Sequence, residues 1–194
     1  MRRNFFICLL LAGITLAIYW PARHYGIIYY DDPLFVTANA MVNSGLNWHS
    51  LGWAFSGTMV ANWHPLTSLS YVLGHQFWGG NPGAEHLVNV LFHTANAVLL
   101  FLVLNRMMSL RSDKGAGASS SPAGATWRSA VAAALFAWHP LRVESVAWIS
   151  ERKDVLCGFF FLLTLIAYTR YARESRVQSP KSKVFYSLSL LAFA

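Results

Sequence analysis

The stretch His86–Leu104, HLVNVLFHTANAVLLFLVL, decides the fold class, because its 19 residues include no Asp, Glu, Lys or Arg. A run of about 18 or more apolar residues is typical of a helix that crosses a lipid bilayer. Four polar side chains within it recur at helical spacing: His86, Asn89, His93 and Asn96. Polar groups are costly in lipid, so this stripe either bonds neighbouring helices or lines a substrate cavity.

Further apolar runs follow the same pattern, in a chain that is 55% hydrophobic and 12% charged. Soluble domains carry about 25% charged residues, so the sequence predicts an all-α membrane protein. The predicted spans are residues 5–20, 86–104, 129–149, 155–171 and 184–194. The third is broken near His139-Pro140, and the last covers about half of a bilayer. We therefore interpret residues 1–194 as the N-terminal part of a longer membrane domain.

The net charge of +7 indicates membrane orientation and not a nucleic-acid partner. We place the N-terminus in the cytoplasm, with loops 105–128 and 172–183 on the same side and loop 21–85 outside. The cytoplasmic segments then hold 11 of the 15 basic residues, which is the positive-inside pattern. Six of the eight acidic residues fall on the outer face. This bias predicts a polar site there.

The outer loop 21–85 is rich in aromatic residues, which favour the membrane–water interface. Apolar residues of one segment recur at helical spacing: Leu66, Leu69, Leu73 and Phe77. The spacing predicts a helix in the interface plane, with Asn62 as its cap and Pro65 in its first turn. Residues 47–55 form a second, shorter candidate helix.

A tetrapeptide, WHPL, occurs twice, at Trp63–Leu66 and Trp138–Leu141. One interpretation is that His64 and His139 flank a single outer-face site as hydrogen-bonding or acid–base groups. The other is that each His-Pro pair starts or ends a helix beside an interfacial tryptophan. The sequence leaves both open.

The loop between the third and fourth spans concentrates three basic and three acidic residues in 13 positions. They are Arg142, Glu144, Glu151, Arg152, Lys153 and Asp154. The loop is interpreted either as a solvated network of salt bridges or as a phosphate site. In the second case Arg142, Arg152 and Lys153 hold the phosphate while a carboxylate serves the chemistry.

Four motifs together resemble the bacterial relatives of the transmembrane and tetratricopeptide-repeat O-mannosyltransferases: YYDDPLFV, NWHPLTSLSYVL, HLVNVLFHTANAVLLFLVL and HPLRVESVAWISERKDVLCG. The resemblance runs from about Tyr19 to Ala194, although the chain lacks the tetratricopeptide repeats and most of the membrane domain of that family. It implies a GT-C-like helical bundle in a bacterial inner membrane, with its active face on the periplasmic side. The implied donor is a polyprenyl-phosphate-linked sugar, with mannose expected, and the implied acceptor is a protein Ser or Thr hydroxyl.

The resemblance also implies roles for particular residues. The acidic pair of the family's proposed catalytic motif maps onto Asp31 and Asp32, and its outer active-site loop maps onto His139, Glu144, Arg152 and Asp154. Asp32 precedes Pro33 and fits a helix N-cap, so Asp31 is the stronger candidate for deprotonating the acceptor.

Two further questions stay open at this level. Adjacent Asp residues could bind Mg²⁺ or Mn²⁺, but no complete ligand set is visible, so no metal ligand is assigned. The alternatives to an inverting protein glycosyltransferase are a non-catalytic membrane scaffold of the same fold and a transferase that acts on lipid or glycan acceptors.

Overall fold

The computed structural model describes residues 2–112, 122–177, 179 and 181–193. The α-helices of these residues are α1 Arg2–Tyr19, α2 Ala40–Asn43, α3 Trp48–Ser56, α4 Pro65–Trp78, α5 Pro82–Ser112, α6 Pro122–Trp138, α7 Val143–Ala147, α8 Arg152–Arg176 and α9 Lys181–Phe193. Short 3₁₀ turns lie at Trp20–His24, Pro140–Arg142 and Ile149–Glu151, and a π-helical turn lies at Pro33–Thr37. Within the described residues no strand is formed, so the predicted all-α class is confirmed.

Three stretches of the described chain are long and apolar enough to cross a membrane: Arg2–His24, Pro82–Met108 and Ile149–Ser175. They contain the predicted first, second and fourth spans. The helices continue past the apolar runs, since α5 extends to Ser112 and α8 to Arg176. Arginine is a good helix former, and Arg106 and Arg173 lie in these continuations. The loops predicted at 105–128 and 172–183 are therefore partly helical, and residues 113–121 lie outside the described part.

The predicted break in the third apolar run is present. Helix α6 ends at Trp138, and the chain then turns at Pro140–Arg142 before the short helix α7. A proline has no N–H and disfavours helical geometry in the residue before it, which here is His139. Helix α9 begins at Lys181, three residues before the predicted start of the fifth run.

The chain forms two compact units, of which the first comprises Met1–Thr15, His93–His139 and Cys157–Ala194. Its apolar core contains Ile7, Leu11, Phe101, Ala130 and Ala133. Polar groups add to this packing, because Trp138 Nε1 donates to Thr15 Oγ1 at 3.1 Å. The buried His93 likewise donates from Nε2 to the Ala137 carbonyl at 2.9 Å. This residue of the polar stripe therefore bonds a neighbouring helix.

The second unit comprises Leu16–Phe92 and Pro140–Leu156 and has two clusters of buried apolar side chains. One cluster is Phe35, Val36, Val42, Met59, Tyr71, Val72 and Ile149. The other is Tyr19, Ala22, Val90, Val146 and Val155. The predicted helix at 47–55 is confirmed as α3, whose Asn47 cap accepts bonds from two backbone N–H groups.

Helix α4 confirms the predicted element but not its cap. It starts at Pro65, so the capping position is His64. Asn62 lies two residues before that position, and its backbone pairs with Met59 across a tight turn. The helix buries Thr67, Ser68, Tyr71, Val72 and Gly74, whereas Leu66 and Phe77 are 44% and 71% exposed. The two ends of the predicted apolar stripe are thus exposed, whereas its middle members Leu69 and Leu73 are partly buried.

Candidate active site

The acidic pair of the YYDDP motif divides into one buried and one accessible carboxylate. Asp32 is fully buried. Its Oδ1 accepts from the backbone N–H and the hydroxyl of Ser150, at 3.0 and 2.5 Å, and its Oδ2 accepts from the Ile28 N–H at 2.9 Å. Asp32 therefore ties the motif to a segment 118 residues away in sequence.

The predicted N-cap role of Asp32 is wrong. Its backbone is helical, with φ −55° and ψ −36°, and its side chain makes no capping bond to the π-helical turn that follows. An N-cap ordinarily has extended backbone so that its side chain can reach the first N–H groups. Asp32 lacks that conformation, and its carboxylate is instead occupied by Ile28 and Ser150. The helical start at Pro33 is nevertheless where the sequence predicted it.

Asp31 retains an accessible carboxylate. It is half-buried, and within the described residues only its backbone carbonyl is bonded, accepting from the N–H groups of Leu34 and Phe35 at 2.9 and 3.1 Å. Both sequence neighbours of Asp31 contact the segment before α8: Asp32 bonds Ser150, and the Tyr30 ring lies 6.2 Å from the Trp148 ring. Asp31 therefore lies, in sequence, between two residues that contact the segment leading into α8.

Three consecutive residues of that loop are each held by another segment. The Trp148 carbonyl accepts from Asn89 Nδ2, and the Ile149 carbonyl accepts from the Tyr71 hydroxyl, both at 2.8 Å. Ser150 donates twice to the buried acidic side chain described above. Because buried backbone carbonyls left unpaired are costly, these bonds fix the course of the loop as it enters α8.

Tyr71 is suited to its donor role. Burial raises the pKa of its hydroxyl well above its ordinary value, and the nearby Arg152 guanidinium only partly opposes this. A tyrosine hydroxyl is protonated at neutral pH without any shift, and the raised pKa extends this to alkaline pH. The hydroxyl therefore donates to the Ile149 carbonyl throughout the neutral and mildly alkaline range.

Arg152 is fully buried and pairs with Glu85, which is also fully buried, with 2.5 Å between Nη2 and Oε2. The predicted phosphate contact gains no support for Arg152, because the interior of the protein occupies its guanidinium. Glu85 was not selected from the sequence. The available signal was that each of these opposite charges lies at the start of an apolar run.

The remaining charged residues of the predicted loop are at least partly exposed, although Lys153 and Asp154 lie in the first turn of α8 and not in a loop. Lys153 Nζ lies 2.6 Å from Glu151 Oε1, and both side chains are partly exposed. Asp154 accepts from the Ser145 hydroxyl at 3.1 Å. Arg142 and Glu144 are exposed, at the turn before α7 and in α7 itself. The loop thus contains a local salt bridge, as one interpretation predicted, together with accessible cations, as the other requires.

The two His-Pro histidines lie in different units. His64 precedes α4 in the second unit and is half-buried, without a side-chain capping bond. His139 follows α6 in the first unit and is exposed. Each stands at a helix boundary, which agrees with the simpler of the two interpretations. An acid–base role for either residue stays a prediction.

A divalent metal site stays a prediction as well. In the described portion of the chain, no three His, Cys, Asp or Glu side chains are gathered as metal ligands. Both carboxylate oxygens of Asp32 already accept hydrogen bonds from protein groups. The adjacent acidic pair therefore does not offer two free carboxylates to Mg²⁺ or Mn²⁺, which prefer several oxygen ligands.

The sequence is similar to several curated proteins of one kind. It is 32% identical to human Protein O-mannosyl-transferase TMTC4 (Homo sapiens) over 185 residues, which are 90% of this chain and 24% of that protein. It is 29% identical to Protein O-mannosyl-transferase Tmtc2 of Drosophila melanogaster over 97% of this chain and 19% of that protein. Human Protein O-mannosyl-transferase TMTC2 is 32% identical over 73% of this chain and 16% of its own length.

These similarities cover most of the present chain but only a minor part of the relatives. The chain spans about a quarter of the length of the first of them and less of the other two. No protein-family model matches the chain, and no solved structure matches it.

Proposed function

Because this chain is a homologue of the transmembrane and tetratricopeptide-repeat O-mannosyltransferases over most of its length, we propose that it serves as the acidic-motif region of a membrane glycosyltransferase. The reaction moves a sugar, mannose by analogy with the names of the relatives, from a polyprenyl-phosphate carrier to protein Ser or Thr hydroxyls. The single observation that supports this best is the Asp32–Ser150 contact, which joins the acidic motif to the charged loop.

The proposed setting is a bacterial inner membrane, with the N-terminus in the cytoplasm and the site on the periplasmic face. Three apolar helices support membrane integration, and the excess of basic residues on alternate loops supports this orientation. The exposed aromatic side chains of the outer loop, such as Trp48 and Trp63, fit the headgroup region on that face.

The proposed reaction is a direct displacement with inversion at the anomeric carbon. The acceptor oxygen bonds to that carbon as the bond from the carbon to the phosphate oxygen breaks. The hydroxyl proton passes to the Asp31 carboxylate, and the electron pair of the broken bond leaves with the polyprenyl phosphate. Asp31 suits this role because it is accessible and its carboxylate accepts no bond within the described residues. General base catalysis of this kind contributes about 10²–10⁴-fold.

The leaving phosphate requires positive charge beside it. Lys153 and Arg142 are the accessible cations of the loop, and Lys153 directly follows the segment that Asp32 holds. Glu151 neutralises Lys153 in the absence of donor. We expect the arriving phosphate to exchange with that carboxylate. A divalent ion, where bound, would coordinate the same phosphate and would take no part in the proton transfer above.

The test is transfer of labelled mannose from its polyprenyl carrier to a Ser/Thr peptide, in membranes containing the complete gene product. We expect Asp31→Asn to lower the rate by about a hundredfold or more at unchanged protein level. Glu174→Gln, a carboxylate of the first unit, is the matched control and should retain the wild-type rate.

Two results would redirect the proposal. Full transfer by Asp31→Asn would remove the catalytic assignment. A wild-type protein that transfers sugar to lipid or glycan but not to peptide would change the acceptor class, and one with no transfer at all would identify a scaffold.

A further inference from the structure

The strongest feature outside the proposed chemistry is the buried ion pair of Arg152 and Glu85. Every nitrogen of the Arg152 guanidinium is engaged inside the protein. Nε donates to Asn89 Oδ1 at 2.8 Å, and Nη2 donates to the Glu85 carboxylate at 2.5 Å and to its backbone carbonyl at 2.9 Å. Nη1 lies 3.4 Å from both the carbonyl and the hydroxyl of Ser70. No part of this group is left to bind a substrate.

The same guanidinium organises the two side chains that hold the loop before α8. Its bond to Asn89 Oδ1 orients the amide so that Nδ2 points at the Trp148 carbonyl. Its central carbon, Cζ, lies 4.5 Å from the centre of the Tyr71 ring. The hydroxyl of Tyr71 donates to the Ile149 carbonyl. One buried cation therefore supports two successive carbonyl contacts of the loop.

A buried ion pair is a weak stabiliser, because desolvation of the two charges offsets their attraction. In some proteins a buried polar or ionic group instead selects one arrangement among several, and removing one partner leaves an uncompensated buried charge. Here the arrangement selected is that of the segment between Trp148 and Lys153. Ser150 of that segment contacts Asp32, which is the sequence neighbour of Asp31. The same segment ends at the accessible cation Lys153.

We propose that Glu85 and Arg152 are positioning residues of the transfer site, which set the distance between the base and the phosphate-binding cation without touching donor or acceptor. The proposal rests on the function proposed above. It assigns Arg152 a role opposite to that of a phosphate ligand, and it adds Glu85, which no motif indicated, to the residues on which the reaction depends.

The two roles of Arg152 predict opposite effects of a change at its partner. If Arg152 bound the donor phosphate, Glu85→Gln would release the cation and lower the KM for the donor. If the pair positions the loop, Glu85→Gln loosens the loop and lowers kcat, with the donor KM nearly unchanged. Arg152→Lys keeps the charge but lacks the planar fork of donors, so it should behave like Glu85→Gln.

The experiment measures kcat and donor KM for Glu85→Gln and Arg152→Lys with labelled polyprenyl-phosphate mannose, using the complete gene product in membranes. We expect kcat to fall about tenfold or more and KM to change by less than about twofold. Arg23→Lys is the matched control, because Arg23 also stacks on an aromatic ring, at 4.6 Å from Trp20, but forms no salt bridge within the described residues. Asn89→Leu provides a second variant that leaves the ion pair intact.

A second readout does not depend on activity. Limited trypsin digestion at Lys153, quantified by mass spectrometry, reports opening of the loop. We expect faster cleavage in Glu85→Gln and Asn89→Leu than in Arg23→Lys. Two results would overturn the positioning role. One is a wild-type cleavage rate in both Glu85→Gln and Asn89→Leu. The other is a raised donor KM in Arg152→Lys together with a lowered donor KM in Glu85→Gln. Faster cleavage in a protein that transfers no sugar would show that the ion pair orders the loop, but it would reject the proposed function and with it a role of the pair in transfer.

Discussion

Replacing Asp32 by alanine should unfold the second unit more readily without requiring any role of Asp32 in chemistry. The substitution removes an acceptor of three hydrogen bonds, from Ile28 N–H, Ser150 N–H and Ser150 Oγ. A hydrogen bond to a charged group contributes about 1.5–3 kcal/mol, and a buried donor left unpaired costs about 1–3 kcal/mol. Since neighbouring contributions are not additive, we expect a loss of about 4 kcal/mol in the free energy of unfolding.

Graded variants sharpen this expectation. Asp32→Asn keeps one carbonyl oxygen for Ser150, so it should lose about half as much. Ser150→Ala removes the hydroxyl donor alone and should cost about 1–2 kcal/mol. Asp31→Ala is the matched control, because the neighbouring carboxylate is accessible and bonds no described residue. Its effect on stability should stay within about 0.5 kcal/mol.

The assay is equilibrium unfolding of the purified protein in detergent micelles, followed by tryptophan fluorescence. Transfer activity is measured on the same samples. Asp32→Ala with wild-type stability and no activity would refute the structural role and return Asp32 to the catalytic machinery. A loss of unfolding free energy in Asp31→Ala as large as that in Asp32→Ala would contradict the assignment of Asp32 as the buried carboxylate and Asp31 as the accessible one.

Further substitutions test the packing around the site by the same unfolding assay. Tyr71→Phe removes the bond to the carbonyl at position 149 and should cost about 1–2 kcal/mol, and no loss would show that this bond is unimportant. Gly74→Ala places a methyl group against the buried Glu85 carboxylate and should cost about 1–3 kcal/mol. Gly52→Ala, in open space on α3, should instead be neutral or stabilising, and equal losses at both glycines would contradict the close contact. Ala61→Gly should stabilise the protein by about 1 kcal/mol, because Ala61 has φ +61°, and destabilisation would argue against that conformation.

The apolar and helical features of the fold were predictable because they depend on local sequence. Runs such as His86–Leu104 identify a membrane helix by length alone. The break before Pro140 follows from the missing proline N–H. The same local reasoning failed at Asn62 and Asp32, where an alternative partner took the side chain or backbone that a cap would use.

The candidate site was predictable only in part, because its defining contacts join distant residues. The sequence motifs indicate Asp31, Asp32 and Arg152 as candidate site residues, and Asp32 contacts Ser150, two residues before Arg152. The motifs could not show that Asp32 bonds a residue 118 positions away, or that Arg152 pairs with Glu85 at a separation of 67. Charge at the start of an apolar run looks the same in sequence whether it faces water or is buried against an opposite charge.

At several positions of helix α4, hydrophobicity does not indicate tolerance to substitution. Its large apolar residues, Leu66 and Phe77, are exposed, and exchange among apolar side chains at these positions should leave the protein packing intact. Its small and polar residues, Ser68 and Gly74, are buried, and Gly74 has no room for one more carbon atom. Substitution scoring that ranks positions by hydrophobicity would therefore protect the exposed Leu66 and Phe77 and release the buried Ser68, although it would rank the buried Val72 correctly.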